Sequence, residues 1–296
     1  HGGTAGRRLA PDVHVLPSRP QPAGSAGPRN EGDRRVFHRQ DRAGPGGQAE
    51  GHGAAPDAGE KEGGCTGRPA GDADIAGTVE AVGHNVTRFQ PGDEVFGDLW
   101  DSWGGFAEYA CATESALARK PVNSTFLEAA AVPQAGVLAL QGIRKAGQIQ
   151  PGQKVLINGA GGGVGTFAVQ LAKLDGAEVT GVDAAHKLDV VRTIGADHVV
   201  DYKKVDFTRN GQCYDLILDV QGVRSMFEYK RALSPGGTYA MVGGAMHRLL
   251  QAFLFGLWGS ITGGRRFRVV AEGPNKGLAD LKALIEAGKI VPVVDK

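Results

Sequence analysis

Several classes of protein are excluded by what this chain lacks. Only three cysteines (Cys65, Cys111 and Cys213) and three methionines occur in 296 residues. No two cysteines form a CxxC pair, which excludes a disulfide framework and argues against a cysteine-rich zinc site. An excess of one charge is also missing: 33 basic and 32 acidic side chains leave a net +1, so nucleic acid is not an expected partner. No apolar run reaches the roughly 18 residues that a membrane span needs. The first residue is His1 and no signal-peptide pattern follows, so a fragment with a cytoplasmic location is the expectation. Glycine is abundant: its 47 residues are roughly twice the usual share.

The glycines fall in two regions of different composition. Residues 1–70 hold 15 Gly, 8 Pro and 9 Arg but one Lys. Their few large apolar residues show no period that would supply a buried face, so 1–72 is assigned no fold. Two origins stay open: a disordered Gly/Pro/Arg-rich tail, or a shifted reading frame of a GC-rich gene. Beyond about Asp72, apolar runs recur between turn signals.

Residues 73–130 read as short alternating strands (75–82, 94–96, 105–111) broken by Gly, Asn and Pro-Gly, a β-rich unit with too few strands to close. Residues 131–275 alternate strands and helices. Strands are expected at 154–158, 178–182, 198–200, 214–219 and 238–242, and helices at 187–194 and 224–233 as well as after the first strand. A turn at Pro235-Gly236-Gly237 leads into the last of these strands. Strands separated by helices imply right-handed crossovers, hence a doubly wound parallel α/β sheet of Rossmann type. Residues 276–296 supply a further helix (278–287) and strand (290–294).

The main chemical signal is Asn158-Gly-Ala-Gly-Gly-Gly-Val-Gly165, between an apolar strand and an amphipathic helix. It reads A-x-G-x-x-G on Ala160, Gly162 and Gly165, with Gly163 and Val164 between. The small first position allows a tight turn, Gly162 lets backbone approach a pyrophosphate, and Gly165 lets the helix pack on the strand. The helix N-terminus then offers free N–H groups to phosphate. Asp183, ending the next strand, is placed to accept hydrogen bonds from an adenine ribose and to repel a 2′-phosphate. NAD(H) is therefore favoured, while Lys187 and His186 nearby leave NADP(H) open. The structural alternative for Asp183 is a solvated helix cap before Lys187.

Seven strings now carry a resemblance: DIAGTVEAVG (74–83), PGDEVFG (91–97), GGFAEYACA (104–112), EAAAVPQAGVLALQGI (128–143), QPGQKVLINGAGGGVGTFAVQLAK (150–173), GADHVVDY (195–202) and YDLILD (214–219). Together they resemble the zinc-independent, quinone oxidoreductase-like branch of the medium-chain dehydrogenase/reductase superfamily. The resemblance implies a GroES-like β-rich domain, here incomplete, beside a Rossmann domain. It implies hydride transfer between a nicotinamide cofactor and a small-molecule quinone, enone or aldehyde, and it allows a homodimer. Zinc-dependent relatives place a ligand His where this chain has Ala73 and a ligand Cys near Ala135, so no zinc is expected and a zinc alcohol dehydrogenase is disfavoured. Family members also carry N-terminal strands and a C-terminal extension that this chain does not match. A cofactor-binding module without turnover is therefore the competing reading.

The resemblance also brings Tyr202 toward the adenosine phosphates, and Gln221, Gly243 and Gly244 to the nicotinamide half. No catalytic acid stands out. Tyr109 reads as packing in a strand, His84 as solvated, and His198 as structural. The apolar 249–258 stretch with Arg265, Arg266 and Arg268 after it reads as a lid or subunit contact rather than a membrane-surface segment.

Overall fold

The computed structural model describes residues 12–17, 73–100, 105–242, 251, 264–270 and 273–294. Two sheets organise them. The first is antiparallel, ordered β4-β1-β2-β3-β5, from β1 (Asp12–Pro17), β2 (Asp74–Val82), β3 (Glu94–Asp98), β4 (Ala110–Thr113) and β5 (Ala118–Arg119). The existence of β1 corrects the assignment of no fold to 1–72. Val13 and Val15 are both fully buried and pair with β2 on one side and β4 on the other. Their period-2 spacing is a strand signal confined to the five residues between Pro11 and Pro17, so it disappears in the average over the segment. The expected strand at 105–111 is also corrected. Residues 105–109 form turns and bends, and pairing begins only at Ala110.

The second sheet is parallel throughout, ordered β11-β10-β9-β6-β7-β8. It contains β6 (Lys154–Asn158), β7 (Glu178–Asp183), β8 (His198–Asp201), β9 (Tyr214–Asp219), β10 (Leu233–Met241) and β11 (Arg266–Val269). This is the doubly wound order: the chain runs outward from β6 to β8 on one side, then returns to lay β9 to β11 on the other. Its central strands are apolar on both faces because both are covered. Val155, Ile157, Leu216 and Leu218 join a core with α2 (Pro133–Leu140), α3 (Gly163–Leu174) and α6 (Leu278–Glu286). Leu156, Ile217, Tyr239 and Phe267 pack on the opposite face with Tyr229 of α5 (Met226–Ala232).

Local chemistry moves several boundaries from their expected places. Ser225 and Glu228 form a reciprocal capping box, so α5 starts at Met226 rather than 224. Thr125 and Glu128 do the same for α1 (Phe126–Ala130). The Pro235-Gly236-Gly237 turn is a register break inside β10, because Leu233 already pairs with Tyr214 ahead of it. A 3-10 turn, Ala185–Lys187, precedes α4 (Leu188–Thr193). The expected strand at 290–294 forms no ladder. The Gln170 side-chain amide takes both the N–H and the C=O of Val291 instead.

The Ser225 backbone N–H, and then its hydroxyl, hold the Glu228 carboxyl below the usual glutamate range. A depressed acid stabilises the fold above its unfolded-state pKa, and that contribution is lost as pH falls through the folded value. Glu228→Gln should thus lower stability at pH 7 and flatten its decline between about pH 5 and 3, as read by urea unfolding at each pH.

Candidate functional site

In this strand order β6 and β9 are neighbours whose chains leave in opposite directions, which opens a crevice at their C-terminal ends. The Gly159–Gly162 loop leaves β6 there. Gly159 takes the left-handed conformation, φ 92°, so the tight turn falls on it rather than on Ala160. Ala160 is fully buried instead, close against Gly181 of β7. Gly165 is required sterically: a Cβ there would lie 2.0 Å from the Gly159 carbonyl oxygen and 2.7 Å from Ala160 Cα. Gly162 differs, because a Cβ would meet nothing nearer than that same oxygen at 3.5 Å.

Gly162 is the N-cap of α3, and no side chain caps the helix. The Gly161 N–H is taken by Asp183 and the Gly162 N–H by Gly159. The N–H groups of Gly163, Val164 and Gly165 meet no acceptor among the described residues. Three amides at the positive end of a 12-residue helix, beside a glycine with open space, have the chemistry to receive an anion.

Asp183 closes the β7 side. One oxygen accepts from Gly161 N at 2.8 Å, and the other from Ala184 N at 2.8 Å. It does not cap the following helix, as the structural alternative supposed, since no side chain caps either the 3-10 turn or α4. Each carboxylate oxygen keeps a second lone pair able to accept a further hydrogen bond. Lys187 lies alongside: its Cβ and Cδ are 2.8 and 2.9 Å from where a Gly161 Cβ would stand. Tyr202 donates its backbone N–H to the Asp183 carbonyl at 3.3 Å, and its ring is half-exposed.

On the β9 side a buried polar cluster, unread in the sequence, underlies the crevice. Asp219 is fully buried. Its Oδ1 accepts from Asn158 Nδ2 (2.8 Å), Gln221 N (3.1 Å) and Gly222 N (3.0 Å), and its Oδ2 from the Tyr239 hydroxyl (2.7 Å). Burial, then the Asp219 charge, pushes the Tyr229 hydroxyl well above the usual tyrosine range, so it stays protonated beside Asn158. Gln221 reaches back over the elbow, its Nε2 2.9 Å from the Cβ position of Gly159. Two polar residues, Asn158 and Asp219, each ending an apolar strand, are the signal that would have found this cluster. Gly243 and Gly244 lie outside the described residues, as does 249–258 apart from Gln251.

The remaining candidates are not drawn in. Tyr109 is exposed in a bend, not packed in a strand. His84 is exposed, and His198 pairs with Glu178 at 3.0 Å on the edge strand. Arg265 and Arg266 donate to the carbonyls of Leu233 and Gly236 in β10, and Arg268 to those of Lys145 and Ala146 in the helical segment after α2, so the basic run is tied to neighbouring backbone. A cavity of about 400 Å³ lined by Lys154, Thr180, His198 and Tyr214 opens at the opposite, N-terminal end of the strands. Ala73 is buried and Ala135 lies against Gly163; two methyl groups cannot coordinate zinc, so this pair does not fit a catalytic metal. Among the described residues, no helix is long and apolar enough to cross a membrane.

Comparison with known proteins agrees with this layout. Residues 69–122 match the family model for the alcohol dehydrogenase GroES-like domain, and residues 163–274 that for the zinc-binding dehydrogenase. The chain is 33% identical over 233 residues to a 2-methylene-furan-3-one reductase of Solanum lycopersicum, covering 75% of this chain but 55% of that protein. It thus spans about half the length of this relative. It is 31% identical to a chloroplastic quinone oxidoreductase of Triphysaria versicolor, covering 75% of this chain and 70% of the relative. The structure of the quinone oxidoreductase from Coxiella burnetii superposes with a TM-score of 0.66 at 26% identity, over 75% of this chain and 69% of that one. With the doubly wound sheet, the glycine elbow and the antiparallel unit before it, these matches show that the chain belongs to the medium-chain dehydrogenase/reductase superfamily.

Proposed function

We propose that this chain is a nicotinamide-dependent, zinc-independent oxidoreductase acting on a small quinone, enone or aldehyde. The observation that carries the reading is the α3 N-terminus, where the unclaimed amides of Gly163, Val164 and Gly165 adjoin the open Gly162. These residues would hold the pyrophosphate, and Asp183 the adenosine ribose. Because Asp183 ends β7 and the elbow leaves β6, the rest of an extended dinucleotide would lie across β9 and β10. Gln221 stands there, with Gly243 and Gly244 in the sequence beyond β10. A bound nicotinamide would supply the hydride. The chain's own residues then orient the ligand and keep water from it. The oxygen charge that develops on reducing a conjugated carbonyl can be met by a hydrogen-bond donor or a solvent proton. NAD(H) is favoured because Asp183 repels a 2′-phosphate, and Ala73 with Ala135 supports chemistry without zinc.

The competing reading, a dinucleotide-binding module without turnover, draws on one observation: among the described residues the antiparallel sheet is open, running β4-β1-β2-β3-β5. Fluorescence titration with NADH and NADPH, followed by their oxidation with a quinone and an enone, separates the two. Saturable NADH binding with turnover unchanged by EDTA is expected. Binding without turnover favours the module, and binding of neither nucleotide defeats both. Stoichiometric zinc, with turnover lost to EDTA, would overturn the metal-free reading alone.

A further inference from the structure

The buried cluster beneath the crevice gathers its hydrogen bonds from several separate segments of the chain. Asp219 spends both oxygens on four donors, and each belongs to a segment bordering the crevice. Asn158 is the residue from which the glycine elbow departs. Gln221 and Gly222 form the loop that follows β9, and Tyr239 is in β10, two residues before its end. Backbone bonds tighten the same junction: Val220 N donates to the Asn158 carbonyl at 3.1 Å and Val242 N to the Asp219 carbonyl at 2.9 Å. The side chain set by this arrangement is Gln221, which lies against Gly159.

We propose that Asp219 is a positioning residue for the cofactor, locking the β9 loop so that Gln221 and Gly222 meet the half of the dinucleotide that lies beyond the pyrophosphate. The assignment rests on the dinucleotide reading above and adds a division of labour along the ligand. Asp183 and the α3 amides govern the adenosine and pyrophosphate end, on β7 and β6. Asp219 governs the nicotinamide end, on β9 and β10, without touching it.

The test is the ratio of affinities for NADH and for ADP-ribose, which keeps the adenosine and pyrophosphate but lacks the nicotinamide. Asp219→Ala should weaken NADH about tenfold more than ADP-ribose, since freeing two loop amides loosens only one end of the seat. Asp219→Asn should restore the ratio. Its amide oxygen can still accept from Asn158, Gln221 and Gly222, while its NH2 donates to a reoriented Tyr239 hydroxyl. Should Asp219→Ala not fold, Tyr239→Phe removes one of the four donors and should shift the ratio the same way, about threefold. A ratio equal to wild type in a folded Asp219→Ala or Tyr239→Phe protein overturns the proposal. A parallel fall in both affinities also overturns it, since that marks a purely structural role. If wild type binds neither ligand, the dinucleotide reading fails, and the positioning role fails with it by a result that no variant is needed to see.

Discussion

Gly165→Ala is expected to lower the thermal midpoint by about 6–12 °C, whereas Gly162→Ala should leave it within about 2 °C. The two glycines are three residues apart across the start of α3, so composition cannot distinguish them; their surroundings do. A methyl on Gly165 would sit 2.0 Å from a backbone oxygen and 2.7 Å from two backbone carbons, and no rotamer can relieve a clash with main chain. Forcing α3 away from the elbow has the character of core overpacking, on the order of 3 kcal/mol. At Gly162 the nearest atom is at ordinary contact distance, 3.5 Å, so the free protein accepts the methyl. It would then stand beside the amides that are to receive phosphate. Dinucleotide affinity of Gly162→Ala should fall about 100-fold, the equivalent of roughly 2.7 kcal/mol. Scanning calorimetry and NADH titration on the two variants read both halves. Equal losses of stability would mean that Gly162 serves packing, and unchanged affinity in Gly162→Ala would remove the pyrophosphate from this elbow.

This contrast also indicates how far the sequence could be read. The parallel sheet was legible because apolar runs such as KVLIN and YDLILD are separated by glycine-capped helices, which serve as the crossovers between parallel strands. The elbow was legible because strand, glycines and helix adjoin. The division of roles within it was not. Spacing alone gave the tight turn to Ala160, yet the left-handed residue is Gly159, and Ala160 is spent on close packing against Gly181. Such roles depend on which backbone comes near, which is a tertiary fact.

Short or side-chain-made features escaped for related reasons. The two valines of β1 are too few to stand out from a Gly/Pro/Arg-rich segment, yet between β2 and β4 they are among the most buried side chains. Asp219 appeared only as the end of an apolar strand. Its importance lies in four donors drawn from Asn158, Tyr239 and the backbone of its own loop, and long-range convergence of this kind leaves no periodic trace. The C-terminal segment errs in the other direction. Ile290 is buried and the run is apolar, but Gln170 takes the Val291 backbone groups before a strand can.

Asp183→Ser should raise the preference for NADPH over NADH about 100-fold. Two effects of roughly tenfold combine: a charge-assisted hydrogen bond to the ribose is lost from the NADH complex, and a like-charge repulsion of about 1–3 kcal/mol is lifted from the 2′-phosphate. The structure adds a reason to read the ratio rather than either affinity. Asp183 also accepts from Gly161 N, so its removal loosens the elbow and weakens both nucleotides. Because the elbow serves them equally, that loss cancels in the quotient, which leaves only what the carboxylate does at the ribose. Lys187 supplies the control. Its stem already lies against Gly161, and with Asp183 gone its ammonium becomes the nearby cation a 2′-phosphate would use. Asp183→Ser combined with Lys187→Met should therefore give back about tenfold of the gain. A ratio that does not move in the single variant would mean that the adenosine ribose does not lie at the end of β7. A double variant matching the single one would keep the ribose there and assign the phosphate to another cation.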